Sequence, residues 1–157
     1  MNDTPPRARR RWLLALPLLL AAPLLVLAPQ VDDWSRDLTT NLAETALGAS
    51  DPRLRPLRVE RPPEEVRAAI EAVAAELPGW AFVGEDAGRL HFERTSGLFR
   101  FVDDVWVWVE VAEDGACVVQ AKAQSRVGKG DLGQNPRTLD ALLRALEAAL
   151  PGARPLE

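Results

Sequence analysis

The chain has 157 residues, 47% apolar and 27% charged, a size and balance suited to one globular domain with an appendage. A single cysteine, Cys117, excludes an internal disulfide and a four-thiolate metal site. The net charge is −4, and residues 1–31 hold four arginines against one aspartate. The remainder therefore carries 15 basic against 22 acidic residues and lacks the basic footprint of a non-specific nucleic-acid binder.

The first stretch reads as a membrane element. Arg7, Arg9, Arg10 and Arg11 precede Trp12 to Val31, a run of about twenty residues that no charge interrupts. A helix rising ~1.5 Å per residue would cross the ~30 Å hydrocarbon core over that length. The spacing predicts a single-pass signal anchor at 12–31 in the inner membrane, with residues 1–11 as its basic cytoplasmic flank. Everything after Asp32 would then lie outside, in the periplasm or an equivalent space. A cleaved signal peptide is the alternative, with Val26-Leu27-Ala28 as the processing site, but Pro29 would follow the cut and disfavours it. Pro17, Pro23 and Pro29 each remove a backbone donor, which counts mildly against a straight helix. Residues 32–53 are polar and read as a linker; Leu38, Leu42, Ala46 and Leu47 have only weak helical spacing, and Trp34 suits a membrane interface.

A globular domain is expected over 54–151, with 152–157 as a tail. Leu54 to Glu60 reads as a first strand. Pro62-Pro63 opens a helix whose apolar stripe is Val66, Ala69, Ile70, Val73, Ala74 and Leu77, and Pro78-Gly79 stops it. Trp80 to Val83 is a short strand with Gly84 to Gly88 as its turn. Arg89 to Thr95 alternates, with Leu90 and Phe92 inward and the solvated His91 and Glu93 outward.

Then comes a long hairpin turning at Glu113-Asp114-Gly115. Val105, Val107, Val109 and Val111 share one face of its first strand; Asp104, Trp106, Trp108 and Glu110 share the other. On the second strand Cys117, Val119, Ala121 and Ala123 face inward. Cys117 reads as a buried thiol there. A last helix is expected to be capped by Asn135, to begin at Pro136, and to bury Leu139, Leu142, Leu143, Leu146 and Leu150. The order β-α-β-β-β-β-α with short links predicts an α+β sandwich: one curved antiparallel sheet of about five strands, two helices on one face, and the transmembrane helix apart.

In a hairpin the start of the first strand and the end of the second lie side by side, so Asp103-Asp104 should meet the polar loop Ser125 to Asn135. Those residues carry a resemblance. Phe99-Arg-Phe-Val-Asp-Asp-Val105, followed by Ser125-Arg-Val-Gly128 and Asp131-Leu-Gly-Gln-Asn-Pro-Arg137, resembles the domain of unknown function 1499 family over about residues 50–150, in its bacterial, membrane-anchored branch. The position before Asp131, a serine in the family pattern, is Gly130 here. The resemblance implies a shared site and no established activity.

Asp103 and Asp104, being adjacent on a strand, point to opposite faces and cannot act as a facing acid–base pair. One reading is a structural clamp of Asp103, Ser125, Gly128, Gly133 and Asn135. In it Asp103 meets Arg126, Ser125 or loop amides, while Asp104 stays free to work. The other reading is a ligand or partner site built from Asp104, Trp106, Trp108, Arg126, Asp131 and Arg137. A divalent cation held by Asp103 or Asp104 with Asp131 is a third possibility, without EF-hand spacing to support it. The glycines of Val127-Gly-Lys-Gly-Asp lack the ending of a phosphate-binding P-loop.

One histidine, one cysteine and no Gly-x-Ser-x-Gly elbow give no support to a nucleophilic triad. The expectation is a non-catalytic domain, without cofactor or metal, that binds a lipid-like or apolar ligand or an envelope protein. The alternative is a hydrolase-type enzyme using Asp103 or Asp104 with Arg126 and Asp131.

Overall fold

The computed structural model describes residues 34–97 and 100–157; the expected anchor at 12–31 lies outside the described residues. Among the described residues no helix is long and apolar enough to cross a membrane. The chain forms α1 (Trp34–Thr39), β1 (Leu42–Glu44), a 3-10 turn (Pro52–Leu54), β2 (Leu57–Val59), α2 (Pro63–Glu76), β3 (Trp80–Asp86) and β4 (Arg89–Thr95). It continues through β5 (Val102–Val111), β6 (Cys117–Ser125), α3 (Gln134–Ala149) and β7 (Arg154–Pro155). The strands make one sheet in the order β3-β4-β5-β6-β2-β7, and β1 also pairs with β6. Every pairing is antiparallel.

This is an α+β fold, as expected, with seven strands rather than about five. The additional strands come from segments read as linker and tail. β6 is nine residues long, and β2 pairs only with Cys117 to Val119. Lys122 to Gln124 would be left with unpaired backbone groups, and β1 fills that edge. The segment 34–54 is thus part of the domain and not a tether. In the tail, Arg154-Pro155 pairs with β2. The first strand is shorter than expected because Pro52–Leu54 turns in a 3-10 coil. β3 is longer, since its hairpin turns on Ala87-Gly88 alone.

Both long helices form where apolar residues recur at three- and four-residue spacing, and both lie on one face of the sheet. α2 buries Val66, Ile70 and Ala74; α3 buries Leu139, Leu142, Leu143 and Leu146. They meet Leu90, Phe92, Val105, Val107, Val119, Ala121 and Ala123 in one core. The small residues at 121 and 123 leave room for the leucines of α3. Cys117 is fully buried in the same core, and burial pushes its thiol up from its ordinary value. Along β5 and β6 every buried residue lies on the helix side, so alternate residues of the other face are only half-buried or exposed. Val111 shares the core face but lies beyond the helices and is exposed.

Candidate functional site

The hairpin brings the two polar motifs together. Asp103 pairs with Ser125 and Asp104 with Gln124 across β5 and β6. From there the residues separate into two groups on opposite sides of the sheet.

The first group fixes the loop before α3. Asp131 accepts the Gly133 amide at 2.8 Å on Oδ1 and the Asn135 amide at 2.9 Å on Oδ2. Asp131, not Asn135, therefore satisfies the free donors at the helix start, which is Gln134 and not Pro136. The sequence pointed to Asn135 because an asparagine before a proline is the usual cap. Here Gly133 is left-handed (φ 74°) and feeds the chain into the helix earlier.

Asn135 is fully buried one step inside the helix. Its Nδ2 donates to the Asn41 carbonyl at 2.8 Å and to Ser125 Oγ at 3.1 Å. Asn41 Nδ2 in turn donates to the carbonyls of Ser125 at 3.2 Å and Gly128 at 2.9 Å. The amides of Asp131 and Leu132 donate to the carbonyls of Thr40 and Asp37. Arg137 Nη2 donates to the Leu132 carbonyl at 2.9 Å, holding a leucine whose φ is +54°. Asp131→Ala removes the acceptor for two helix-start amides and is expected to cost about 1 kcal/mol, within the usual cap range. Asp131→Asn should recover part of that loss, and urea denaturation midpoints of the two variants measure it.

The second group lies on the face away from the helices. Asp104 receives Arg126 in a two-pronged pair, Nε to Oδ2 at 2.8 Å and Nη2 to Oδ1 at 2.7 Å. His91 Nε2 lies 2.7 Å from the same Oδ1, and a carboxylate only accepts, so that nitrogen carries the hydrogen. Arg126 also binds Glu93 at 2.6 Å. The His91 ring stacks on Trp106 with centroids 5.2 Å apart and planes 8° from parallel. The Arg89 guanidinium sits 4.5 Å over the Trp108 ring, whose Nε1 donates to Glu110 at 2.9 Å. Lys122, opposite Trp106 in the register, lies 3.9 Å from Glu44.

Asp104 is therefore not free, contrary to expectation, and His91 is not merely solvated. The Arg126 hydrogen bonds, aided by His91 and opposed by burial, hold the Asp104 carboxyl below its ordinary range. A depressed folded value means that the pair stabilises the domain above the unfolded value, near pH 3.9, and that this support is lost as pH falls through the folded value. Asp104→Asn is expected to destabilise the domain at neutral pH, with the difference from the parent shrinking below about pH 4. Denaturation series at several pH values would show the convergence; a gap that persists in acid refutes it.

Of the expected site residues, Asp104, Trp106, Trp108 and Arg126 come together on this face. Asp131 and Arg137 turn to the loop. Asp103 is buried on the core side, as its register required. Its charged neighbour is Arg94 at 3.5 Å, on β4, and not Arg126 or the loop amides. Residues that sequence reasoning passed over are Arg89, His91 and Glu93 on the face, and Asn41 in the clamp. The outward parity of His91 and Glu93 was legible, but their alignment with Trp106 and Asp104 depends on the β4–β5 register. No group of three or more His, Cys, Asp or Glu side chains that could hold a metal occurs among the described residues.

Comparison with known proteins is consistent with the motif. No curated protein and no solved structure matches the chain. The family model described as Protein of unknown function (DUF1499) matches residues 27–146, a span that contains both halves of the hairpin-and-loop motif. With about three quarters of its length inside that match, the chain belongs to the DUF1499 family.

Proposed function

We propose that this protein is a membrane-anchored, extracytoplasmic binding module without catalytic activity. Its working surface is the open face of β4, β5 and β6, and its ligand is an envelope protein. The observation that carries the proposal is the pair of tryptophans, each braced by a neighbouring side chain, on a sheet face that the long helices leave open. Trp106 is fixed by His91 and Trp108 by Arg89. Tryptophan and arginine, pre-ordered and ringed by polar groups, are the residue types that dominate protein–protein binding energy.

The charged side chains that brace the two tryptophans favour a protein over a lipid-like ligand, which would need a concave apolar pocket. A cleft of about 210 Å³ lies elsewhere, among Arg53, Arg55, Leu57, Asp140, Leu143 and Arg144, and mixes charged with apolar lining. The hydrolase alternative loses ground because both oxygens of Asp104 and both of Asp131 already accept hydrogen bonds.

The test is site-specific photocrosslinking of the full chain in its native envelope. A photoreactive residue at Gln124, on the open face, should give an adduct of defined mass. One at Glu71, exposed on α2, should not. The Trp106→Ala/Trp108→Ala variant, at unchanged melting temperature, should lose the adduct at least tenfold. Equal adducts at both positions, or adducts indifferent to the tryptophans, would sink the proposal.

A further inference from the structure

A separate surface lies at the end of the domain where the chain enters. Leu38, Phe101 and Val127 are 51%, 52% and 63% exposed. They lie at the same end of the hairpin. Extending the Asp103–Ser125 register by two residues sets Phe101 beside Val127. Gly130 lies directly against the backbone of Leu38. The other exposed large apolar residues among those described do not join them: Val111 is at the opposite end of the hairpin, Leu47 follows the end of β1 that points away from Ser125, and Phe82 and Val83 are on the β3 edge.

Among the described residues the unpaired charge at this end is basic, although the domain as a whole is acidic and Asp32 and Asp33 precede α1 in the sequence. Arg100 and Lys129 are exposed. The nearby acids are turned inward or paired: Asp37 is buried, Asp103 faces Arg94, Asp104 holds Arg126, and Asp131 caps α3. Apolar side chains flanked by cations are what a lipid interface selects.

The chain path supplies the independent argument. Only three residue steps separate Val31, the end of the apolar run, from Trp34, the start of α1. Extended, these steps span at most about 11 Å. Leu38 is four helical residues further on, another ~6 Å. With the membrane span ending at Val31, Leu38 would be within about 17 Å of the hydrocarbon edge whichever way α1 points. α1 is in turn bonded to the loop through Asp37 and Leu132, so the loop cannot be far behind.

We propose that Leu38, Phe101 and Val127, with Arg100 and Lys129, seat this end of the domain on the anionic headgroup surface of the membrane. The inference rests on the anchor reading above and adds an orientation to it. The hairpin then stands away from the bilayer, and the Trp106–Trp108 face is presented sideways to partners in the envelope space.

Reconstitution of the full chain in vesicles of phosphatidylcholine, with or without phosphatidylglycerol, tests it. The single substitutions Val127→Cys and, as control, Glu113→Cys carry an environment-sensitive dye; the native Cys117 thiol is shielded in the core. Lipids bearing a quencher near the headgroup should quench position 127 several-fold more than position 113. The difference should shrink in phosphatidylcholine alone and in the Arg100→Glu/Lys129→Glu variant. Carbonate washing reports on the anchor separately. A chain that is retained but quenched equally at both positions overturns the seating and leaves the anchor standing. A chain that carbonate releases overturns the anchor and the seating with it. Quenching indifferent to phosphatidylglycerol overturns the anionic surface as the occupant. Shielding of position 127 from aqueous iodide without lipid quenching points to a second copy of the chain and also overturns the proposal.

Discussion

Phe92→Ala is expected to lower the unfolding free energy by about 3–5 kcal/mol, the range for deleting a buried aromatic side chain. Phe92 is 1% exposed in the middle of β4. Its ring meets Trp80 at 5.9 Å and 61°, and Phe82 at 5.4 Å and 60°, both from β3. These tilted contacts add to the area term, so truncation removes both the transfer energy and the edges of two neighbouring rings.

The consequence should be local as well as global. β3 is an edge strand, paired only with β4, and its own side chains are mostly exposed. Phe92 is the buried anchor on which its aromatic residues rest. A domain of this size is held by roughly 5–15 kcal/mol, so the variant should lose about a fifth of its stability or more. Guanidinium denaturation of the full chain reads the loss. Hydrogen exchange in β3 should accelerate more than in β6. A loss below about 1 kcal/mol would mean that the site collapses around the gap and that the cluster is not the anchor.

The second large effect is expected at Gly130. A β-carbon there would fall on the carbonyl carbon and oxygen of Leu38 and 2.6 Å from the Asp37 carbonyl oxygen. All three obstacles are backbone atoms, so no side-chain rotation relieves them. Gly130→Ala must push α1 away from the loop and is expected to cost about 1–3 kcal/mol, the range for overpacking. The amides of Asp131 and Leu132, which donate to Thr40 and Asp37, should lose protection from exchange first. Protection in α2 and β4 should hold. A Gly130→Ala variant with parental stability and intact protection at Asp131 and Leu132 would show that α1 packs loosely. The same contact gives a physical reason for glycine at position 130: the α1 backbone occupies the space of a side chain.

Much of the domain was legible in the sequence because its long elements are periodic. The stripes Val66–Ile70–Ala74 and Leu139–Leu142–Leu146 specify helices with one buried face. The alternation from Asp104 to Val111 and from Cys117 to Ser125 specifies strands with one face on the core. Hairpin geometry alone brought Asp103-Asp104 to Ser125-Arg126, and strand parity alone put Asp103 inside and Asp104 outside with the tryptophans. Each of these follows from local stereochemistry, in which a side chain's direction is set by its position along its own element.

Tertiary structure decided what depends on a partner far away in the chain. Leu42–Glu44 is too short to show a period, and it becomes a strand because β6 offers an unpaired edge there. His91 stacks on Trp106 and holds Asp104 because the β4–β5 register aligns them, and no single strand encodes that alignment. Asp131 caps α3 because Gly133 turns left-handed and starts the helix early. Asn135 is thereby released to join Asn41 and Ser125. Periodicity belongs to one segment, whereas register, edge pairing and loop closure are settled only when several segments compete for the same hydrogen bonds.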